Sequence, residues 1–147
     1  MTARERGGAE FVEAFLEAWK RLQRLWDQNL HAAGLSLTEL RVLKLLSVNG
    51  PSPMALIAAD LTVTPASMTG LVDRLEEEGF VTRERSSRDR RVVSVAITAK
   101  GSESFQRGRA LHRRLVEKTL RALSEDEAEE LVRSLGKLSR AAEAEDG

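Results

Sequence analysis

The chain has 147 residues, 41% hydrophobic and 31% charged, with 23 basic against 23 acidic residues and no cysteine. That length buries a core without covalent staples, and the missing cysteine excludes a disulfide framework, a thiolate zinc site and a cysteine redox switch. No apolar run nears the roughly 18 residues of a membrane span, and the N-terminus lacks a charged-then-apolar leader pattern, so a cytoplasmic protein with no membrane partner is expected.

Residues 1–8 are polar, and a first helix is predicted from Ala9. Phe11, Phe15, Trp19, Leu22 and Trp26 recur at helical spacing, widened by Val12, Leu16 and Leu30, which is one broad apolar face. So many large groups on one helix ask for a partner surface, from the C-terminal helices or a second subunit. Gly34 closes this helix. Ser36 and Glu39 form a capping-box pattern for a second helix, with Leu40, Leu43, Leu45, Leu46 and Val48 as its core face. Asn49-Gly50-Pro51 stops it. Ser52 and Pro53 are predicted to start a third helix, with Met54, Leu56, Ile57 and Leu61 turned inward.

Asp60 to Val63 reads as a tight turn. Thr64 then caps a fourth helix, with Pro65 at its first position. Met68, Leu71, Val72 and Leu75 form its buried stripe. The opposite face carries Ala66, Gly70 and Asp73, with Ser67, Thr69 and Arg74 on its shoulders, and the leading end from Pro65 is small and polar. Gly79 ends the helix. Residues 81–85 and 92–97 alternate as strands, with Ser86 to Arg91 between them. Thr98 caps a fifth helix running to about Leu123. Ser124 with Glu127 caps a sixth, whose stripe is Ala128, Leu131, Val132, Leu135 and Leu138.

Charge is unevenly spread although the sum is zero. Residues 80–100 hold Arg83, Arg85, Arg88, Arg90, Arg91 and Lys100 against Glu84 and Asp89, whereas the segment after Ser124 is mostly acidic. Arg88, Arg90 and Arg91 crowd a turn that structure alone would fill with Gly or Asn. Like charges at a hairpin tip repel, so an external anion is expected to hold them. Arginine suits a narrow minor groove, and Asp89 suits a brace that sets the direction of one arginine. A small, polar helix start can approach base edges in the major groove, and Arg74 reads as a base or phosphate contact, against a plain surface pair with Glu77 or Glu78. The fold class expected is mainly α with a small β-hairpin wing. Enzyme chemistry has little support: no glycine-rich phosphate loop follows a strand, no serine sits in a nucleophile elbow, and His31 and His112 fit no metal spacing. No cofactor is expected.

Four runs carry a resemblance: Leu71-Val72-Asp73-Arg74-Leu75-Glu76, then Gly79-Phe80-Val81, then Asp89-Arg90-Arg91, then Ile97-Thr98-Ala99-Lys100-Gly101. In type and spacing the chain resembles the MarR family of winged helix-turn-helix transcriptional regulators. The resemblance implies a homodimer with intertwined end helices, gripping a pseudo-palindromic operator in double-stranded DNA. It implies a repressor relieved by a small lipophilic or phenolic ligand. It also implies that Arg91 enters the minor groove, with Asp89 as its brace and Arg90 on a phosphate. The domains expected are an N-terminal dimerisation helix (1–34), a DNA-binding lobe (35–101) and C-terminal dimerisation helices (102–147). For an acidic effector the anchors expected are Lys20, Arg24 and His112, with Trp19 or Trp26 as an aromatic wall. The alternative is a winged-helix module for protein contacts or chromosome architecture, with no effector.

Overall fold

The computed structural model describes residues 3–85, 89 and 91–145, with side chains from Gly8 to Ala144. Its elements run α1 (Ala3–Ala32), α2 (Leu37–Asn49), β1 (Ser52–Pro53), α3 (Met54–Asp60), α4 (Pro65–Glu77), β2 (Val81–Arg85), β3 (Val93–Ile97), α5 (Ala99–Leu120) and α6 (Glu125–Glu145). The chain divides into two compact units, Met1–His112 and Arg113–Gly147, with the boundary inside α5. The mainly helical class with a small β wing holds. Among the described residues no single helix is long and apolar enough to cross a membrane.

Local chemistry explains most boundaries. After α1, Gly34 takes φ 82°, its N–H donates to the His31 carbonyl at 3.0 Å and the Leu35 N–H to the Leu30 carbonyl at 3.1 Å. Only a residue without Cβ adopts that backbone cheaply. At α2, the Glu39 N–H donates to Ser36 Oγ at 3.1 Å and the Ser36 N–H donates back to Glu39 Oε2 at 2.8 Å, so the capping box is complete. The Leu37 N–H, another donor with no partner inside the helix, goes to Asp27 Oδ1 on α1 at 2.9 Å. At α4, the Ser67 N–H donates to Thr64 Oγ1 at 3.2 Å, and Gly79 at φ 75° ends the helix with its own N–H on Glu76 and the Phe80 N–H on Leu75.

Five expectations are corrected. α1 begins at Ala3 rather than Ala9. Ser52 and Pro53 do not start α3. They form a short strand, pairing antiparallel with β3 in the register Ser52↔Val95 and Pro53↔Ser94, so the sheet has three strands in the order β1-β3-β2. A proline suits either a first helical turn or an edge strand, and the tertiary pairing selects the edge. Val48 and Leu56 are 74% and 63% exposed rather than buried; neither packs against the core cluster that takes Leu43, Leu46 and Ile57 from the same two helices. β3 begins at Val93 rather than Val92, and α5 ends at Leu120 rather than Leu123.

The core of the first unit is built from Leu30 of α1, Leu43 and Leu46 of α2, Ile57 of α3, the Met68, Val72 and Leu75 stripe of α4, Val81 and Val95 of the sheet, and Phe105 of α5. Each such side chain contributes about 1.5–3 kcal/mol on leaving water. This core fixes one face of α4 inward and thereby sends the opposite face to the surface. The second unit is a helical segment whose α6 stripe remains open: Val132 and Leu138 are 68% and 57% exposed. Ser124 and Glu127 cap α6 reciprocally at 2.8 and 3.3 Å. Hydrogen bonds from the Ser124 backbone, then its hydroxyl, hold the Glu127 carboxyl below its ordinary range.

Candidate nucleic-acid interface and cavity

The chain bends by 111° between α3 and α4, within the angle that defines a helix-turn-helix. The turn is tight enough to hold Thr62 at φ 54°, a costly backbone for a β-branched residue. On α4, Pro65, Ala66, Ser67, Thr69, Gly70 and Arg74 are all exposed, while Met68, Leu71, Val72 and Leu75 are buried. The two hydroxyls on this face differ in readiness. Thr69 Oγ1 already donates to the Pro65 carbonyl at 3.0 Å, leaving its lone pairs outward. Ser67 Oγ accepts from Thr64 Oγ1 at 2.9 Å, leaving its proton for an external acceptor. Nothing lies within 4 Å of where a Cβ on Gly70 would sit, so this part of the helix can approach another surface closely.

Two cation partnerships were not anticipated. Arg74 pairs with neither Glu77 nor Glu78; its Nε lies 3.5 Å from Glu39 Oε1 on α2, joining the fourth helix to the α2 capping box. Arg83 on β2 reaches back to α4, donating Nη1 to Glu76 and Nη2 to Asp73. Burial disfavours its charge, but the hydrogen bonds and fields of those two acids outweigh this and hold its pKa above the ordinary value. Helix periodicity could have placed Asp73 and Glu76 on one edge, but their partner lies on a different element.

At the hairpin tip, Asp89 Oδ1 accepts the Arg91 backbone N–H at 2.9 Å, and the Asp89 carbonyl accepts the Val92 N–H at 3.0 Å. Asp89 thus braces the main chain at Arg91, whose side chain is exposed. Arg88 and Arg90 lie outside the described residues. The hairpin is closed at its base by Val81↔Ile97 and runs to Arg85↔Val93. Below it, Thr98 Oγ1 donates to the Gly79 carbonyl at 2.6 Å and accepts from the Gly101 N–H at 3.0 Å. Lys100 Nζ donates to the Glu78 carbonyl at 2.6 Å and stands 5.3 Å from the centre of the Phe80 ring. The Thr98 to Gly101 run therefore anchors the wing, α4 and α5 to one another.

A cavity of about 650 Å³ opens beside α1, α2 and α5 within the first unit. Trp19, Trp26 and His112 line it together with Arg41, Lys44 and Arg109. Lys20 and Arg24 are exposed and do not line it. They follow α1 residues of the cavity by one step, and one step on a helix turns a side chain about 100° away. Arg41 and Lys44 sit three apart on one edge of α2, a spacing legible in the sequence but without meaning until α2 faces α1. The His112 ring meets Trp26 edge-on at 5.7 Å, and its Nε2 is buried with no hydrogen-bond partner. Burial, with the nearby Arg41 charge, lowers the His112 pKa from its ordinary 6.5. The unfolded chain therefore takes up this proton first as pH falls. The contribution is complete above the ordinary imidazole range and is lost on acidification below it. His112→Phe is expected to flatten the fall in stability between about pH 7 and pH 5, read by urea melts across that range. A slope equal to that of the parent would refute the assignment.

A helix-turn-helix with its second helix exposed along a polar face, followed at once by a hairpin, defines a winged helix-turn-helix protein of the kind that binds DNA. The MarR family profile matches residues 35–93. YkoM of Bacillus subtilis (strain 168), an HTH-type transcriptional regulator, is 30% identical over 118 residues, covering 80% of this chain and 77% of that protein. The transcriptional repressor MdtR of the same organism is 27% identical, covering 92% and 88%. The transcriptional regulator BldR of Sulfolobus solfataricus superposes with a TM-score of 0.76 at 30% identity, covering 95% of this chain and 99% of that one. The chain belongs to the MarR family of DNA-binding transcriptional regulators.

Proposed function

We propose that this protein is a homodimeric repressor that reads a pseudo-palindromic operator in the cytoplasm and releases it on binding a small aromatic acid or phenol. The observation that carries the reading is the α4 face: small, polar and exposed beside a wing with an outward arginine. Pro65, Ala66, Ser67, Thr69 and Gly70 meet base edges, Ser67 as a donor and Thr69 as an acceptor. Arg74, held by Glu39, contacts phosphate or guanine. Arg91 enters the minor groove from a backbone turn that Asp89 sets, and Arg88 and Arg90 add DNA contacts, Arg90 on a phosphate.

Residues 1–34 and 102–147 form the dimer and residues 35–101 the DNA-binding lobe. Large apolar groups stay exposed on α1 (Phe11 at 71%, Leu16 at 52%) and on α6 (Val132 at 68%). Exposed surface of this kind on separate helices suits burial against a second copy. The repressor sign is supported by the name of MdtR. The effector class is supported by the cavity chemistry: two indoles for an aromatic ring, and Arg41, Lys44, Arg109 and His112 for a carboxylate or phenolate.

The test is selection of bound fragments from random duplex DNA by the full chain. The expected product is a palindrome with half-sites about one helical turn apart, roughly 34–36 Å, bound at least about 10³-fold tighter than unrelated DNA at matched salt. Recovery of no preferred sequence would overturn the operator reading in favour of sequence-independent binding.

A further inference from the structure

We propose that Arg83 is a positioning residue for DNA recognition: it sets the wing against the fourth helix through Asp73 and Glu76, rather than by touching DNA. The inference rests on the operator reading above. One guanidinium spans three points on α4, namely the Asp73 and Glu76 carboxylates and the Thr69 carbonyl at 3.5 Å. The Arg83 backbone N–H adds a fourth link, to Glu76 Oε1 at 3.4 Å. A planar, forked cation fixed at several points resists rotation in a way a single ammonium cannot.

The placement gives these contacts their purpose. Arg83 sits in the middle of β2, opposite Val95 in the hairpin register. The three α4 contacts run from the polar leading half (Thr69) to the second half (Asp73, Glu76). β2 is therefore tied along the helix and not at one end of it. The hairpin tip lies beyond Arg85, so a small rotation at Arg83 moves the tip through a larger arc. With its donors turned to α4 and its side chain only 25% exposed, Arg83 is poorly placed to be a phosphate contact. Asp73 and Glu76, which would repel a phosphate backbone from this edge of α4, have half of their charge offset by the same contact.

Charge and geometry predict opposite outcomes for one variant. Asp73→Ala/Glu76→Ala removes two acids beside DNA and leaves Arg83 without both carboxylate acceptors, so by charge alone every DNA should bind more tightly. Positioning predicts that binding to unrelated DNA rises while the ratio of operator to unrelated affinity falls at least about tenfold, because the wing no longer has one orientation. Arg83→Met should lower the same ratio to a similar extent. The triple variant should lose no more than Arg83→Met alone, as groups acting as one unit are not additive. The two acids are 51% and 41% exposed, and ion pairs that water reaches from the carboxylate side contribute little to folding, so the thermal midpoint should move by only a few degrees in each, and the acid pair variant retains Arg83 should Arg83→Met fold poorly. An unchanged ratio in the acid pair variant, or losses in the triple that multiply, would overturn the proposal. If the unaltered chain shows no preferred fragment in the same assay, it is the operator reading that fails.

Discussion

Gly101→Ala is expected to destabilise the protein by about 2–4 kcal/mol, although it swaps glycine for the best helix former. A Cβ at Gly101 would lie 2.0 Å from the Phe80 carbonyl oxygen, 2.8 Å from its carbon and 3.0 Å from Ile97 Cγ1. The first two are backbone atoms and cannot rotate aside. The Phe80 carbonyl accepts the Thr98 N–H at 3.0 Å, and the Phe80 N–H closes α4 on the Leu75 carbonyl at 2.8 Å. Relief must come from lifting the start of α5, which breaks the hydrogen bonds of Thr98 to Gly79 and of Gly101 to Thr98. Against a typical total of about 5–15 kcal/mol, that is a large share. The thermal midpoint should fall by roughly 5–15 °C. Gly136→Ala on α6 provides a control of opposite sign: its Cβ would meet only the end of Arg140 at 3.5 Å, and helix propensity predicts a gain of about 0.5–1 kcal/mol. Equal midpoints for the two variants in circular dichroism melts would refute this packing account.

Arg91→Ala should abolish specific operator binding while leaving the fold and the proposed dimer intact. The side chain is exposed and its backbone N–H, not its guanidinium, is the group bonded to Asp89 Oδ1. Truncation therefore removes little from the folded chain, and the surface term is within about 0.5 kcal/mol. On DNA the proposed dimer takes the loss twice, once per subunit. At about 1–3 kcal/mol for each groove contact, two copies give about 2–6 kcal/mol, or a factor of roughly 30 to 10⁴. Competition gel shifts on the selected palindrome, with sedimentation of the same sample, read both parts. Near-parental operator affinity would remove Arg91 from the interface. A shift to monomer would mean that the wing supports dimerisation. Asp89→Ala should weaken binding less, since it frees the turn but keeps the guanidinium.

The residues behind these two expectations differ in how far the chain alone revealed them. The arginine cluster that holds Arg91 stands out because its signal is local, like charges crowding a short turn, while the choice of Arg91 within it rests on the family resemblance. The role of Gly101 was not legible, since a glycine inside a helical pattern gives no sign of which backbone will come to rest against it.

The same division runs through the molecule. The sequence by itself determined the starts of α2, α4 and α6, because Ser36 with Glu39, Thr64 with Pro65, and Ser124 with Glu127 act within one turn of chain. It determined which face of α4 is exposed, because a 3.6-residue period and one buried stripe leave no other choice. It also carried the family through four short runs. Tertiary structure decided whatever depends on partners distant along the chain. Ser52 and Pro53 became a strand because Val95 and Ser94 came alongside. Arg74 found Glu39 rather than a neighbour on its own helix. The cavity gathered its cations from α2 and α5 rather than from Lys20 and Arg24 on α1. Arg83 joined wing to helix, since an arginine on a strand has no preferred partner until folding brings two carboxylates within reach of its fork.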